Sequence, residues 1–321
     1  MKIYGNEHLI STFQNMMKTG RMAHSFLIYG EKGLGKKQIA RYLTMLLVCE
    51  SEEKPCGRCR ACINAQNNTH PDIIYAEHSG KLGGFSVDTI RNICTDAYIH
   101  PNNSDTKIYV LTDADNITVQ AQNSLLKLIE EPPSYAYFIL TALSKNVFLD
   151  TIISRAVSLS VSQTDTDTTL EALSYYGIPQ EQANEAVTCF DGNIGMCMAY
   201  TSENELKNAV QLTKQITDCI INRDEYALLY ALTEASTDKA LLKNILVMLD
   251  KIIRDSLAVK YQSESFMSCY RQGAKKLAET LTVRTCGELH RAVTDSYMLI
   301  DRNVNIKLIV SSLCGEIMTC R

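Results

Sequence analysis

The feature that most constrains this chain is a glycine-rich turn, Gly30 to Lys37 (GEKGLGKK), set between an apolar run and an amphipathic stretch. The run before it, His24 to Gly30 (HSFLIYG), reads as a buried strand, and Lys36 to Cys49 repeats apolar residues at helical spacing. A strand that turns through glycines straight into a helix is the entry to a parallel α/β sheet, because parallel strands need crossover helices.

The turn matches the phosphate-loop pattern G-x-x-x-x-G-K-[ST] at Gly30, Gly35 and Lys36, with Gly33 as a further glycine. In that arrangement backbone amides curl around a phosphate, the helix N-terminus favours the anion, and Lys36 reaches the terminal phosphates. The last position departs from the pattern: Lys37 stands where a hydroxyl would ligate Mg²⁺, and a cation offers no oxygen to a hard metal. Gly30, Gly33, Gly35 and Lys36 are therefore candidate nucleotide-contacting residues with ATP binding left open, and Mg²⁺-dependent hydrolysis is not expected.

Three more apolar runs, Lys107 to Thr112 (KIYVLT), Tyr137 to Thr141 (YFILT) and Val157 to Val161, predict further strands. A helix through NSLLKLIEE must stop at Pro132 and Pro133. The second strand ends Thr112-Asp113-Ala114-Asp115. In hydrolysing ATPases of this layout an Asp there helps to hold Mg²⁺ and the next residue, a Glu, orients the attacking water. Here Ala114 takes the Glu position, and Asp115 reads as the start of a turn.

The chain has 12 cysteines, and Cys49, Cys56, Cys59 and Cys62 follow the spacing C-x6-C-x2-C-x2-C. Thiolates two residues apart converge on one tetrahedral ion, so these four predict a structural zinc site with no open coordination position. The other eight are scattered and read as small buried hydrophobes. Ser154-Arg155 follows a short helical stretch and means little without its surroundings.

Residues 162–169 (SQTDTDTT) have no hydrophobic period and read as a linker, after which the period is helical only. Three short helices between Thr168 and Tyr200, broken at Gly177-Ile178-Pro179 and Asp191-Gly192-Asn193, precede a helical bundle. A length of 321 residues suits two or three domains. With 45% hydrophobic and 21% charged residues, the chain is neither disordered nor collagen-like. No apolar run is long enough to span a bilayer and the start lacks an apolar signal core, so a cytoplasmic protein with no membrane partner is expected. A net charge of −4 argues against coating nucleic acid by charge alone.

HSFLIYGEKGLGKKQIA, the four-cysteine insertion, His70-Pro71-Asp72, NSLLKLIEEPP and Thr151 to Arg155 (TIISR) occur in the order seen in AAA+ clamp-loader subunits of bacterial DNA polymerase III, and the chain resembles that family over residues 1–160. The resemblance implies a RecA-like AAA+ domain at 1–161 with a zinc module at about 49–72, a helical lid at 162–205 and a helical collar for oligomerisation at 206–321. It implies tau/gamma and delta subunits as partners, with the sliding clamp and primer-template DNA met inside the complex. It also places Arg155, with Ser154, at the position of an arginine finger presented to a neighbour's ATP. The family motif is Ser-Arg-Cys, whereas Ala156 ends it here, and Gly195 stands where hydrolysing members carry a sensor arginine. Two other readings are an active tau/gamma-type ATPase, opposed by Lys37, Ala114 and Gly195, and a zinc-dependent DNA-binding regulator, opposed by the acidic balance.

Overall fold

A computed structural model describes residues 2–79, 84–262, 266–302 and 304–320. Two compact units divide the chain, Met1–Thr168 and Thr169–Arg321. The first runs α1 (Glu7–Lys18), β1 (Ser25–Tyr29), α2 (Lys36–Val48), α3 (Arg60–Gln66), β2 (Ile73–Tyr75), α4 (Val87–Asp96), β3 (Lys107–Leu111), α5 (Val119–Glu130), β4 (Ala136–Ala142), α6 (Asp150–Ile153) and β5 (Val157–Ser160). The strands form one parallel sheet in the order β2-β3-β4-β1-β5.

The strand sequences are apolar at successive positions because both faces of the sheet are covered. Phe26 and Ile28 of β1, with Ile108, Val110 and Ile139, pack with α1 and α2 on one face. Leu27, with Tyr109, Leu111, Phe138 and Leu140, packs with α4 and α5 on the other. Alternation within a strand thus feeds two cores, and each fully buried Leu, Ile or Phe contributes about 1.5–3 kcal/mol.

The four strands read from sequence are present, and β2 is a fifth. Its three residues are too few to show a period. Beside it, the carboxylate of Asp72 is fully buried and accepts from the backbone N–H groups of Asn102, Asn103 and Ser104 at 2.6, 2.8 and 3.0 Å. Burial alone would raise its pKa, but these donors hold it below the ordinary carboxylate value. His70 accepts from the Asp72 N–H, so the His-Pro-Asp triplet is a staple that ties β2 to the loop before β3.

The polar run at 162–169, read as a linker, contains the division between the two units and also the start of a helix. The Asn6 side chain clasps the Ser162 backbone through two hydrogen bonds of 3.0 and 2.8 Å. Asp165 accepts from the Thr168 N–H at 2.8 Å, and Thr166 already begins α7 (Thr166–Tyr175). Polar residues without period here are a helix cap and its first turn, with Thr169 buried.

The second unit continues with α8 (Gln180–Phe190), α9 (Ile194–Ser202), α10 (Asn204–Asn222), α11 (Glu225–Ala235), α12 (Lys239–Lys260), α13 (Arg271–Thr280), α14 (Val283–Asp301) and α15 (Ile306–Thr319). The breaks between α7, α8 and α9 fall at the Gly-Ile-Pro and Asp-Gly-Asn triplets. Leu242, Ile245, Leu246, Leu249, Ile252 and Ile253 make a helical stripe on α12, against which α10, α13 and α14 pack. One apolar cluster reaches from Leu173 to Ile317, so the short helices and the bundle share a core. No described helix is long and apolar enough to cross a membrane.

Candidate functional site

β1 delivers the glycine-rich turn to the C-terminal edge of the sheet. Gly33 and Gly35 both have φ of 89°, a backbone that side chains with a Cβ resist. A Cβ on Gly30 would meet the Val161 carbonyl oxygen at 2.7 Å, so this glycine permits a close approach of the chain after β5. Gly35 caps α2 with no side-chain hydrogen bond, which leaves the helix N-terminus open.

The loop lysine is turned inward. Lys36 is 7% exposed, and its Nζ donates to the carbonyl oxygens of Gly30 and Glu31 at 2.7 and 2.8 Å. Burial pulls its pKa below the ordinary lysine value, opposed by the carboxylates of Asp113 and Asp115. Lys37 points to the end of β3, where its Nζ lies 2.5 Å from the Asp113 carboxylate, with both side chains at least half exposed. Asp113 has φ of 51°, and its N–H donates to the Thr141 hydroxyl at 2.9 Å. The fold thus brings Gly30, Gly33, Gly35, Lys36, Lys37 and Asp113 together. An ammonium, rather than a hydroxyl, stands against the acidic residue. Ala114 is buried beside it and offers no carboxylate, while Asp115 accepts from the Leu143 N–H at 2.7 Å as a turn residue.

Cys49 follows the end of α2, Cys56 and Cys59 lie in the turn beyond, and Cys62 sits in the first turn of α3. Their sulfurs all lie within 4.8 Å of one another. Four thiolates about 2.3 Å from one tetrahedral ion stand roughly 3.8 Å apart, so the cluster fits such an ion with little movement. Backbone N–H groups of Cys56, Cys59 and Cys62 donate to the sulfurs of Cys49, Cys56 and Cys59 at 3.3–3.4 Å. Donation from the Arg58 and Cys59 backbones lowers the Cys56 pKa to about 6, the direction a metal ligand requires. Burial pushes the Cys62 thiol up. Of the other eight cysteines, Cys189, Cys197, Cys269, Cys286 and Cys314 are buried, and Cys94, Cys219 and Cys320 are half-buried.

Arg155 lies elsewhere. β5 is parallel to β1, with Val157 paired to Phe26 and Ser160 to Tyr29. Arg155 therefore precedes the N-terminal end of its strand, whereas Gly30 follows the C-terminal end of its own. The span is about six residues of register, on the order of 15–20 Å at 3.3 Å per residue. Arg155 is held at its own edge. Its Nη1 donates to the Thr151 carbonyl oxygen at 3.0 Å and to the Ser154 hydroxyl at 3.2 Å, and its Nη2 lies 2.9 Å from the Glu130 carboxylate.

Sequence reasoning missed two residues of this region. Gln122 is buried in α5 and donates to the Ile117 and Val147 carbonyls at 3.3 and 2.9 Å; its oxygen accepts from the Leu149 N–H at 2.8 Å. Glu130 lies in the NSLLKLIEEPP stretch, whose only local signal is the helix stop. Gly195 sits in the first turn of α9, in the second unit.

The sequence profile of the family described as DNA polymerase III, delta subunit matches residues 5–165. The DNA polymerase III subunit tau of Bacillus subtilis is 32% identical over 155 residues, 48% of this chain and 27% of that protein. The subunit tau of Escherichia coli is 26% identical over 215 residues, 66% of this chain and 32% of that protein. The chain thus spans about a third or less of these two relatives. A DNA polymerase III gamma subunit-related protein of Thermotoga maritima superposes with a TM-score of 0.43 and 16% identity, over 97% of this chain and 99% of that one.

Proposed function

The chain belongs to the DNA polymerase III delta-subunit family, and on that premise we propose that it is a clamp-loader subunit of the delta-prime kind, which hydrolyses no ATP and serves a neighbouring subunit that does. The observation that carries this reading is the Lys37–Asp113 pair. A metal-dependent phosphoryl transfer needs oxygen ligands around Mg²⁺ and a carboxylate to orient water. Here the ammonium of Lys37 neutralises Asp113 from within, and Ala114 supplies no second carboxylate.

Arg155 is the residue through which such a subunit acts on its neighbour. Its position across the sheet from the chain's own loop supports action in trans. A guanidinium stays charged and offers a planar fork of donors to phosphate oxygens, and fingers of this sort are worth about 10³ to 10⁵ in rate. In this role Ser154 steadies Arg155 through its hydroxyl. The AAA+ architecture, a lid at 162–205 and a collar at 206–321 belong to the same proposal. So do tau/gamma and delta subunits as partners, with the sliding clamp and primer-template DNA engaged within the assembly.

Cys49, Cys56, Cys59 and Cys62 would hold zinc, which closes their turn and leaves no position for substrate. Elemental analysis of the purified chain should give one zinc per chain. No bound metal in protein prepared without chelator would remove that assignment.

Two measurements test the function. The isolated chain releases negligible phosphate from Mg²⁺-ATP, and robust release would favour the active tau/gamma-type reading, which the tau names of the relatives otherwise support. In the reconstituted loader Arg155→Ala lowers ATP turnover by about 10³-fold or to the detection limit. Wild-type turnover would sink the finger.

A further inference from the structure

We infer that Glu130 is a positioning residue for Arg155: α5 grips the arginine-bearing segment at both ends and presents the guanidinium in a fixed orientation. The inference rests on the finger role proposed above.

The base of that segment is held first. Gln122 is 2% exposed and uses both ends of its amide, accepting from the Leu149 N–H and donating to the Val147 carbonyl at 2.8 and 2.9 Å. Ile152 is fully buried, so α6 cannot rotate about its axis without exposing it. Eight residues further along α5, about two turns, Glu130 meets Arg155 at 2.9 Å. One helix thus sets where the segment begins and where its charged tip stands.

The pair itself is 41% and 43% exposed, in the range where an ion pair adds little to stability. Its consequence is orientation. A guanidinium has five N–H donors. Nη1 donates to Thr151 and Ser154, while Nη2 pairs with the Glu130 carboxylate at 2.9 Å as an ion pair, so these hydrogen bonds leave the Nε–H and Nη2–H edge unused among the described residues. That edge lies in the guanidinium plane and suits the oxygens of a phosphate. An unrestrained arginine has several rotatable bonds to order at the moment of reaction, and the three contacts remove that freedom in advance.

The test uses the complete loader, reconstituted with this chain, and follows phosphate release from ATP. Glu130→Ala lowers kcat by about 5- to 50-fold with KM for ATP nearly unchanged, since misplacement of a transition-state group can cost up to about 10²-fold. Glu130→Asp keeps the charge and withdraws the carboxylate by one methylene, so it lowers kcat by less. It also reads the same effect if the alanine variant fails to assemble. Adding Glu130→Ala to Arg155→Ala brings no further loss, because one residue acts through the other. Wild-type kcat in the assembled Glu130 variants, or a loss that adds to that of Arg155→Ala, overturns the inference. Wild-type turnover with Arg155→Ala alone would instead overturn the finger itself.

Discussion

At the scale of single residues, two neighbouring cations take different partners. Lys37 has no oxygen to give a metal and settles on Asp113, while Lys36 turns onto the carbonyls of its own loop. The substitution Lys37→Thr removes the internal cation and restores a hydroxyl beside Asp113. We expect Mg²⁺-dependent binding of a fluorescent ATP analogue to rise in this variant, measured by titration with and without EDTA. Phosphate release from Mg²⁺-ATP is expected to be negligible in the variant as well, since Ala114 orients no water. Binding equal to wild type in both conditions would show that Lys37 does not block the site. The loop and both lysines are legible in the sequence. The partner of Lys37 is not, because Asp113 lies 76 positions away and meets it only through the adjacency of β1, β4 and β3.

Among elements, the short ones depend most on tertiary contact. Helices α2 and α5 announce themselves by period, cap and proline stop, and the breaks between α7, α8 and α9 by Gly, Pro and Asn. β2 has only three residues and is held by Asp72 beside it. Replacing this carboxylate by the amide in Asp72→Asn should cost about 2–3 kcal/mol at pH 7, since hydrogen bonds to a charged acceptor are the stronger kind. The folded-state pKa of Asp72 is depressed, so its stabilising effect is present above the unfolded value of about 3.9 and is lost as pH falls through the folded value. The gap between wild type and Asp72→Asn, read as urea midpoints, should therefore narrow below about pH 4. A gap that is constant from pH 7 to pH 3 would refute this account. The helix start inside the 162–169 run is hidden for a related reason: a capped first turn of helix is polar and without period, as a linker is.

On the scale of the whole molecule, net charge sets what the chain does alone. A protein of charge −4 with no basic helix beside its cysteines has little to neutralise a phosphate backbone. Fluorescence anisotropy with primed duplex should therefore show no tight binding of the isolated chain near physiological salt, and binding should appear only with the assembled loader. Tight binding of the lone chain with a steep salt slope would return the zinc-dependent DNA-binding reading.

The sequence alone determined the local matters: a parallel α/β unit followed by helices, a glycine loop that lacks a metal ligand, and four cysteines spaced for one ion. These follow from periodicity, turn chemistry and short spacings, which act over a few residues, whereas Arg155 stood out only through the family resemblance. Only the tertiary structure decided that Lys37 rests on Asp113, that Glu130 holds Arg155, and that Arg155 and the glycine loop lie at opposite edges of the sheet. Strand order and register make those pairings across long stretches of chain, and no local pattern of residues records them.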